Sequence, residues 1–186
     1  MRTVLLLLPL LMALGASSQT RMRELFRQMP DSIVPYLTVN NRLDFIDFID
    51  SHLKAEVQNA LDGRSRMTLL TDSALSITLN EASLLDMRLF SLTESADSVR
   101  EVICLVRTYG REQQESTVEF YQTDWHPLPV TRFMSLPHGM FTAKFDGDTP
   151  TLTLTLKNSF ERPASEEQKT HEDVLIILKW NGKNFK

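Results

Sequence analysis

The chain has 186 residues, with 20 Lys plus Arg against 24 Asp plus Glu, 42% hydrophobic residues and one Cys. One Cys closes no disulfide within the chain, and without clustered Cys and His there is no zinc-finger module, so stability has to come from packing. Ordinary hydrophobic and charged fractions exclude long disorder, collagen and polytopic membrane folds, and the acidic balance disfavours a nucleic-acid partner, which needs a concentrated basic face.

Arg2 precedes an apolar run, Val4 to Leu14, interrupted only by Pro9, and the small residues Gly15-Ala16-Ser17-Ser18 follow. That is the layout of a secretory signal peptide, with Ala16 and Ser18 at the minus-three and minus-one positions and Gln19 as the mature N-terminus. A transmembrane helix needs about 20 apolar residues, more than this run supplies. No Cys stands near the cleavage point to carry a lipid. An exported protein is therefore expected, periplasmic or extracellular and not a lipoprotein, with residues 1–18 as signal peptide and 19–186 as one domain. Losing Arg2 leaves 19 basic residues against 24 acidic, a net charge of −5.

In the mature chain Met22, Leu25, Phe26 and Met29 fall on one helical stripe, and Pro30 stops it. Pro30 to Leu37 is too proline-interrupted for more than a turn or an extended connection. The strongest helical pattern runs from Arg42 to Leu61, with Asn41 as N-cap and Asp44 serving the helix start. Ile46, Ile49, Leu53, Val57 and Leu61 form its stripe, and Gly63 takes the left-handed position after its end. Asp44, Asp47 and Asp50 read as a solvated face, with Asp50 reaching Lys54 one turn on.

Beyond Gly63 the pattern is that of strands. Leu75/Ile77/Leu79, Phe141/Ala143/Phe145 and Leu152/Leu154/Leu156 alternate with polar residues, as half-buried strands do. Val102 to Val106 and Val174 to Leu178 are apolar on both faces and are expected to lie centrally, covered on each side. Further strands are expected near Met67 to Thr71, Leu84 to Leu92 and Thr117 to Trp125. Turn signals stand at Thr71-Asp72-Ser73, Tyr109-Gly110-Arg111 and Asp146 to Pro150. No helix-length pattern separates the strands, so an antiparallel meander is favoured. The expected fold is α+β: N-terminal helices packed on a curved, mainly antiparallel sheet of about seven strands. Asn158 to Asp173 is left as a charged connection.

Catalytic signatures are sparse. There is no Gly-x-Ser-x-Gly elbow and no glycine cluster to cradle phosphate. Cys104, amid Val102, Ile103, Leu105 and Val106, reads as a small core residue marking the helix-on-sheet core rather than as a nucleophile. Asp146-Gly147-Asp148 lacks the further ligands of a calcium loop and reads as a hairpin turn. His126 and His138 flank a proline-rich connection beside Asp124 and Trp125. A loop folding back would bring two imidazoles and a carboxylate together for acid-base or metal chemistry. Phe133 and Met134 of the same connection either cover the end of the sheet, the preferred reading, or form a patch that a partner buries. The candidate binding residues are thus Trp125, His126, Phe133, Met134 and His138, with no catalytic residue, metal or cofactor assigned.

The segments Met29-Pro30-Asp31-Ser32, Pro35-Tyr36-Leu37, Asn40 to Ser51, Lys54-Ala55-Glu56-Val57 and Leu70-Thr71-Asp72 resemble a family of secreted Bacteroidales proteins known only as a domain of unknown function. The resemblance implies export in a Gram-negative bacterium and no assigned activity. Three functions are compatible with these readings. The favoured one is a non-enzymatic binding or accessory protein contacting another envelope protein. The alternatives are a carrier or chaperone for an apolar ligand held between helix and sheet, and a small hydrolase built on Asp124, His126 and His138.

Overall fold

The structure is a computed structural model and describes residues 21–93, 100–147, 149–157 and 173–186. The signal-peptide reading, Asp148 of the Asp146 turn and most of the Asn158 to Asp173 connection lie outside the described residues.

The described residues open with helix α1 (Arg21–Gln28), whose Met22, Leu25 and Phe26 are buried as the stripe requires. After two turns over 31–36 comes helix α2 (Val39–Asp50). Strands β1 (Glu56–Gln58), β2 (Arg64–Leu70), β3 (Ala74–Asn80), β4 (Ser83–Ser91), β5 (Glu101–Tyr109), β6 (Glu115–Tyr121) and β7 (Pro127–Leu128) then form a seven-stranded sheet in sequential order. A 3-10 turn (Val130–Arg132) leads to β8 (Phe141–Phe145), β9 (Thr151–Leu156) and β10 (Val174–Lys179), a second, three-stranded sheet. Every strand pairing is antiparallel, as the absence of crossover helices implies. The class is broadly α+β, with two helices and two sheets among the described residues in place of the single sheet expected.

Helix α2 departs most from the sequence pattern. It starts three residues earlier than expected, capped by Thr38: the Thr38 hydroxyl accepts the Asn41 amide while the Asn41 side chain accepts the Thr38 amide, a reciprocal capping box. Asn41 is therefore the third helical residue, and Asp44 lies past the first turn. The helix ends eleven residues early. His52 adopts a left-handed conformation (φ 55°), the Leu53 amide bonds the Phe48 carbonyl and the His52 amide bonds Ile49, a Schellman closure built without glycine. The later part of the expected stripe is redistributed: Val57 is buried in β1, whereas Leu53 and Leu61 are exposed. Gly63 belongs to the β1–β2 turn, where the Asn59 carboxamide accepts the Leu61 and Gly63 amides. Asp50 pairs with Arg23 of α1, and Lys54 with Glu56.

Strand β5 explains the layering. Its side chains alternate between two cores, one on each face of the large sheet. Ile103 and Leu105 join α1, α2 and Leu75, Ile77, Leu85 and Met87. Val102, Cys104 and Val106 join Phe120, Phe133, Phe141, Phe145, Leu152 and Leu154 beneath the second sheet. The doubly apolar sequence of β5 is thus buried on both faces, as expected. Cys104, however, marks the sheet-on-sheet core and not the helix-on-sheet core. At about 1.5–3 kcal/mol for each large apolar side chain buried, both layers contribute substantially to stability.

The other doubly apolar segment behaves oppositely. β10 is the edge strand of the small sheet, not a central one, and Val174, Leu175 and Ile177 are 50%, 63% and 60% exposed.

Candidate functional site

The residues singled out from sequence separate into a buried set and an exposed set. Strand β6 ends at Tyr121, and residues 122–126 turn the chain back: the Gln122 amide bonds the His126 carbonyl and the Trp125 amide bonds the Gln122 carbonyl. Trp125 takes a left-handed φ of 69° at this turn, which sends its indole inward; it is 7% exposed, lies against Tyr121 and donates Nε1–H to the Leu25 carbonyl. Phe133 and Met134 are buried between the sheets, Phe133 stacked on Phe120 at a centroid separation of 4.5 Å. They cover the second core from within the fold, and Trp125 packs in the core on the helix side.

Asp124 and His126 are on the surface. One Asp124 oxygen accepts the His126 amide, the other lies 3.0 Å from Nδ1 of the imidazole. The backbone amide first, then the imidazole, holds the Asp124 carboxyl below its usual value. A carboxylate so placed orients an imidazole. His138 is exposed in the loop before β8, and among the described residues no three His, Cys, Asp or Glu side chains group as metal ligands. The single thiol, Cys104, is fully buried, and burial raises its pKa well above the ordinary value.

The other polar clusters act within the fold. Arg42 is buried in α2 and donates to the Leu37 carbonyl at 2.7 Å and to Asp31 at 2.8 Å, holding the Pro30–Leu37 connection over the helix. Arg107 reaches Glu119 and the Ile33 carbonyl, fastening the same connection to β5. The Tyr121 hydroxyl donates to Glu119, and burial together with that carboxylate pushes its phenol up to about 12. Thr108 and Ser116 share a hydrogen bond beneath the second sheet, and Ser116 also accepts the Ala143 amide.

The feature that sequence reasoning missed is β10. Val174 to Leu178 is a continuous apolar run, a signal shared by a centrally buried strand and an uncovered edge, and the run alone does not distinguish them. Leu175 and Ile177 share the outer face with Thr153 and Thr155 of β9 and with Thr142 and Lys144 of β8. Among the described residues no helix is long and apolar enough to cross a membrane.

Comparison with known proteins places this chain in a family. It belongs to the family described as "Protein of unknown function (DUF3256)", whose model matches residues 13–146. The match ends before β9, so β9 and β10 lie beyond it. A similar solved structure is that of a domain of an uncharacterized protein from Porphyromonas gingivalis W83, with a TM-score of 0.66 and 20% identity over 89% of this chain and 96% of that one. At that identity the likeness shows a shared fold. No curated protein matches the chain.

Proposed function

We propose that this protein is an exported, non-enzymatic binding or accessory module of a bacterial envelope, released from a signal peptide after Ser18 and acting in the periplasm or at the cell surface through contacts with another protein. The observation that supports the binding role is the open β10 edge: Leu175 and Ile177 are exposed together on its outer face, and along Val174–Leu178 only β9 stands beside the strand among the described residues. Exposed apolar edges are costly in a soluble protein unless a partner covers them. Support also comes from the inward use of the polar clusters: Arg42, Arg107 and Tyr121 spend their hydrogen bonds on the fold. Strand addition, in which main-chain bonds supply affinity and alternate side chains supply specificity, is the matching mode of recognition.

Two measurements test this. The intact mass of the protein recovered from its native envelope is expected to correspond to a chain beginning at Gln19, and a chain retaining Met1 would contradict export by cleavage. A photoreactive residue replacing Leu175 is expected to cross-link to a protein in intact cells, while one replacing Gln58 on β1 does not. Equal labelling from both positions would remove the case for a specific edge.

A further inference from the structure

We infer that the partner of the β10 edge is a second copy of this chain, joined antiparallel about a two-fold axis through Ile176. This rests on the reading of β10 as the interaction edge and names its occupant.

Backbone geometry identifies the groups available. The Trp180 amide bonds Pro150 on the β9 side, whereas the Lys179 N–H and C=O both engage Lys186 on the opposite side. Successive residues of a strand direct their N–H and C=O groups to alternate sides. Leu175 and Ile177 therefore aim theirs away from β9, where no strand stands beside them among the described residues. The same two residues carry the exposed apolar side chains, while Ile176 and Leu178 turn inward to the second core.

The edge matches itself. About an axis through Ile176, Leu175 of one copy faces Ile177 of the other, and the reverse, so that both positions exchange N–H···O=C bonds in pairs and bring apolar side chains into cross-strand contact. Lys186, bonded to Lys179, blocks the edge past Leu178. An incoming strand is limited at that end to residues before Lys179, and the part of β10 that precedes it, Val174–Leu178, is centred on the proposed axis. Charge selects the same direction. Exposed Asp173 stands at the start of the strand, exposed Lys179 and Lys186 at its far end. Antiparallel pairing sets each copy's acidic end against the other's basic end, and parallel pairing opposes like charges. The window contains no Pro, Lys or other device that commonly blunts an edge. Such a two-fold contact closes at two copies, which covers the edge without open-ended growth.

The test uses the chain 19–186 in sedimentation velocity. The wild type is expected to sediment as a dimer, and Ile177→Lys as a monomer whose thermal melt matches that of the wild type diluted below its dimerisation range, since that position is exposed in the single chain. Asp173→Lys and Lys179→Asp each place like charges together at both ends of the pairing and weaken the homodimer about tenfold. Mixed in equal amounts, the two variants face each other with complementary charges and are expected to form a heterodimer of wild-type strength. A wild-type monomer at all concentrations, a dimer indifferent to Ile177→Lys, or a mixture no tighter than its components would overturn the proposal. If the wild type is monomeric yet Leu175 cross-links to a different protein in cells, the edge remains a binding surface and the second copy is not its occupant. If no cross-link forms either, both readings fall.

Discussion

The indole of Trp125 donates its hydrogen bond to the carbonyl of Leu25, 3.2 Å away and 100 residues earlier in the chain. That bond ties the β6–β7 turn to α1, and the left-handed backbone at Trp125 makes it possible. Replacing Trp125 with Phe keeps the backbone and most of the packing and loses the donor, an expected cost of about 1 kcal/mol. Trp125→Ala removes the ring from the helix-side core, at roughly 3–5 kcal/mol. Urea unfolding of the two variants checks the ordering, and equal losses would mean that the ring packs less closely than its burial implies.

Arg42 and Asp31 form an asymmetric pair, the guanidinium buried and the carboxylate largely in water. Solvent screens the carboxylate, so Asp31→Asn is expected to cost less than about 1 kcal/mol. Arg42→Ala loses the bond to Leu37 and leaves a void at the base of α2, and should cost roughly 2–4 kcal/mol. Denaturant midpoints decide this; an Asp31 variant as unstable as the Arg42 variant would show the ion pair, rather than the carbonyl and packing, to be dominant.

Tyr121 sets an alkaline limit. Its phenol is raised from 10.0 to about 12 by burial and by the Glu119 carboxylate, so the folded state favours the neutral form. The unfolded chain ionises first. The contribution is complete below about pH 10 and is lost as pH climbs toward 12. Tyr121→Phe has no phenol to ionise, so its stability should fall less steeply than that of the wild type over that window. Parallel slopes in denaturant melts at stepped pH would discount the effect.

The meander and the strand faces were legible in the sequence because alternation reports burial directly: Leu75, Ile77 and Leu79 point to the core as their period requires. Three features escaped it for physical reasons. A helix stripe and a buried strand both accept Val57, and the stop signal before it was His52 in a left-handed conformation where glycine is the usual mark. Apolarity on both faces has two meanings, burial for β5 and an unpartnered edge for β10, and only pairing distinguishes them. Of the candidate site, the Asp124–His126 contact follows from proximity in sequence, but the inward turn of Trp125 depends on a backbone angle that composition does not encode.

Cys104 offers a readout of the second core. Fully buried and with its thiol pKa driven up by desolvation, it should resist a disulfide reagent in the native protein and react completely in denaturant. Labelling should then follow opening of the sheet-on-sheet layer, slowing in proportion to global stability across the variants above. Rapid labelling under native conditions would mean that the second sheet detaches independently of the first.

Two glycines separate backbone strain from steric collision. Gly110, in the β5–β6 turn, has φ +104°, and a Cβ there would lie 2.0 Å from the Gln113 carbonyl oxygen. Gly139 has a similar φ of +98° with nothing within 4 Å of a Cβ. Alanine at Gly139 meets only the conformational penalty, on the order of 1–2 kcal/mol. Alanine at Gly110 incurs that penalty and must also displace main chain in a turn between two interior strands, so its loss should exceed that of Gly139→Ala by more than about 1 kcal/mol. The comparison is read from thermal or urea melts of the two single variants. A Gly110 variant no worse than the Gly139 variant would mean that the β5–β6 turn moves aside freely, and that the register of β5 against β6 is held by the strands rather than by their connection.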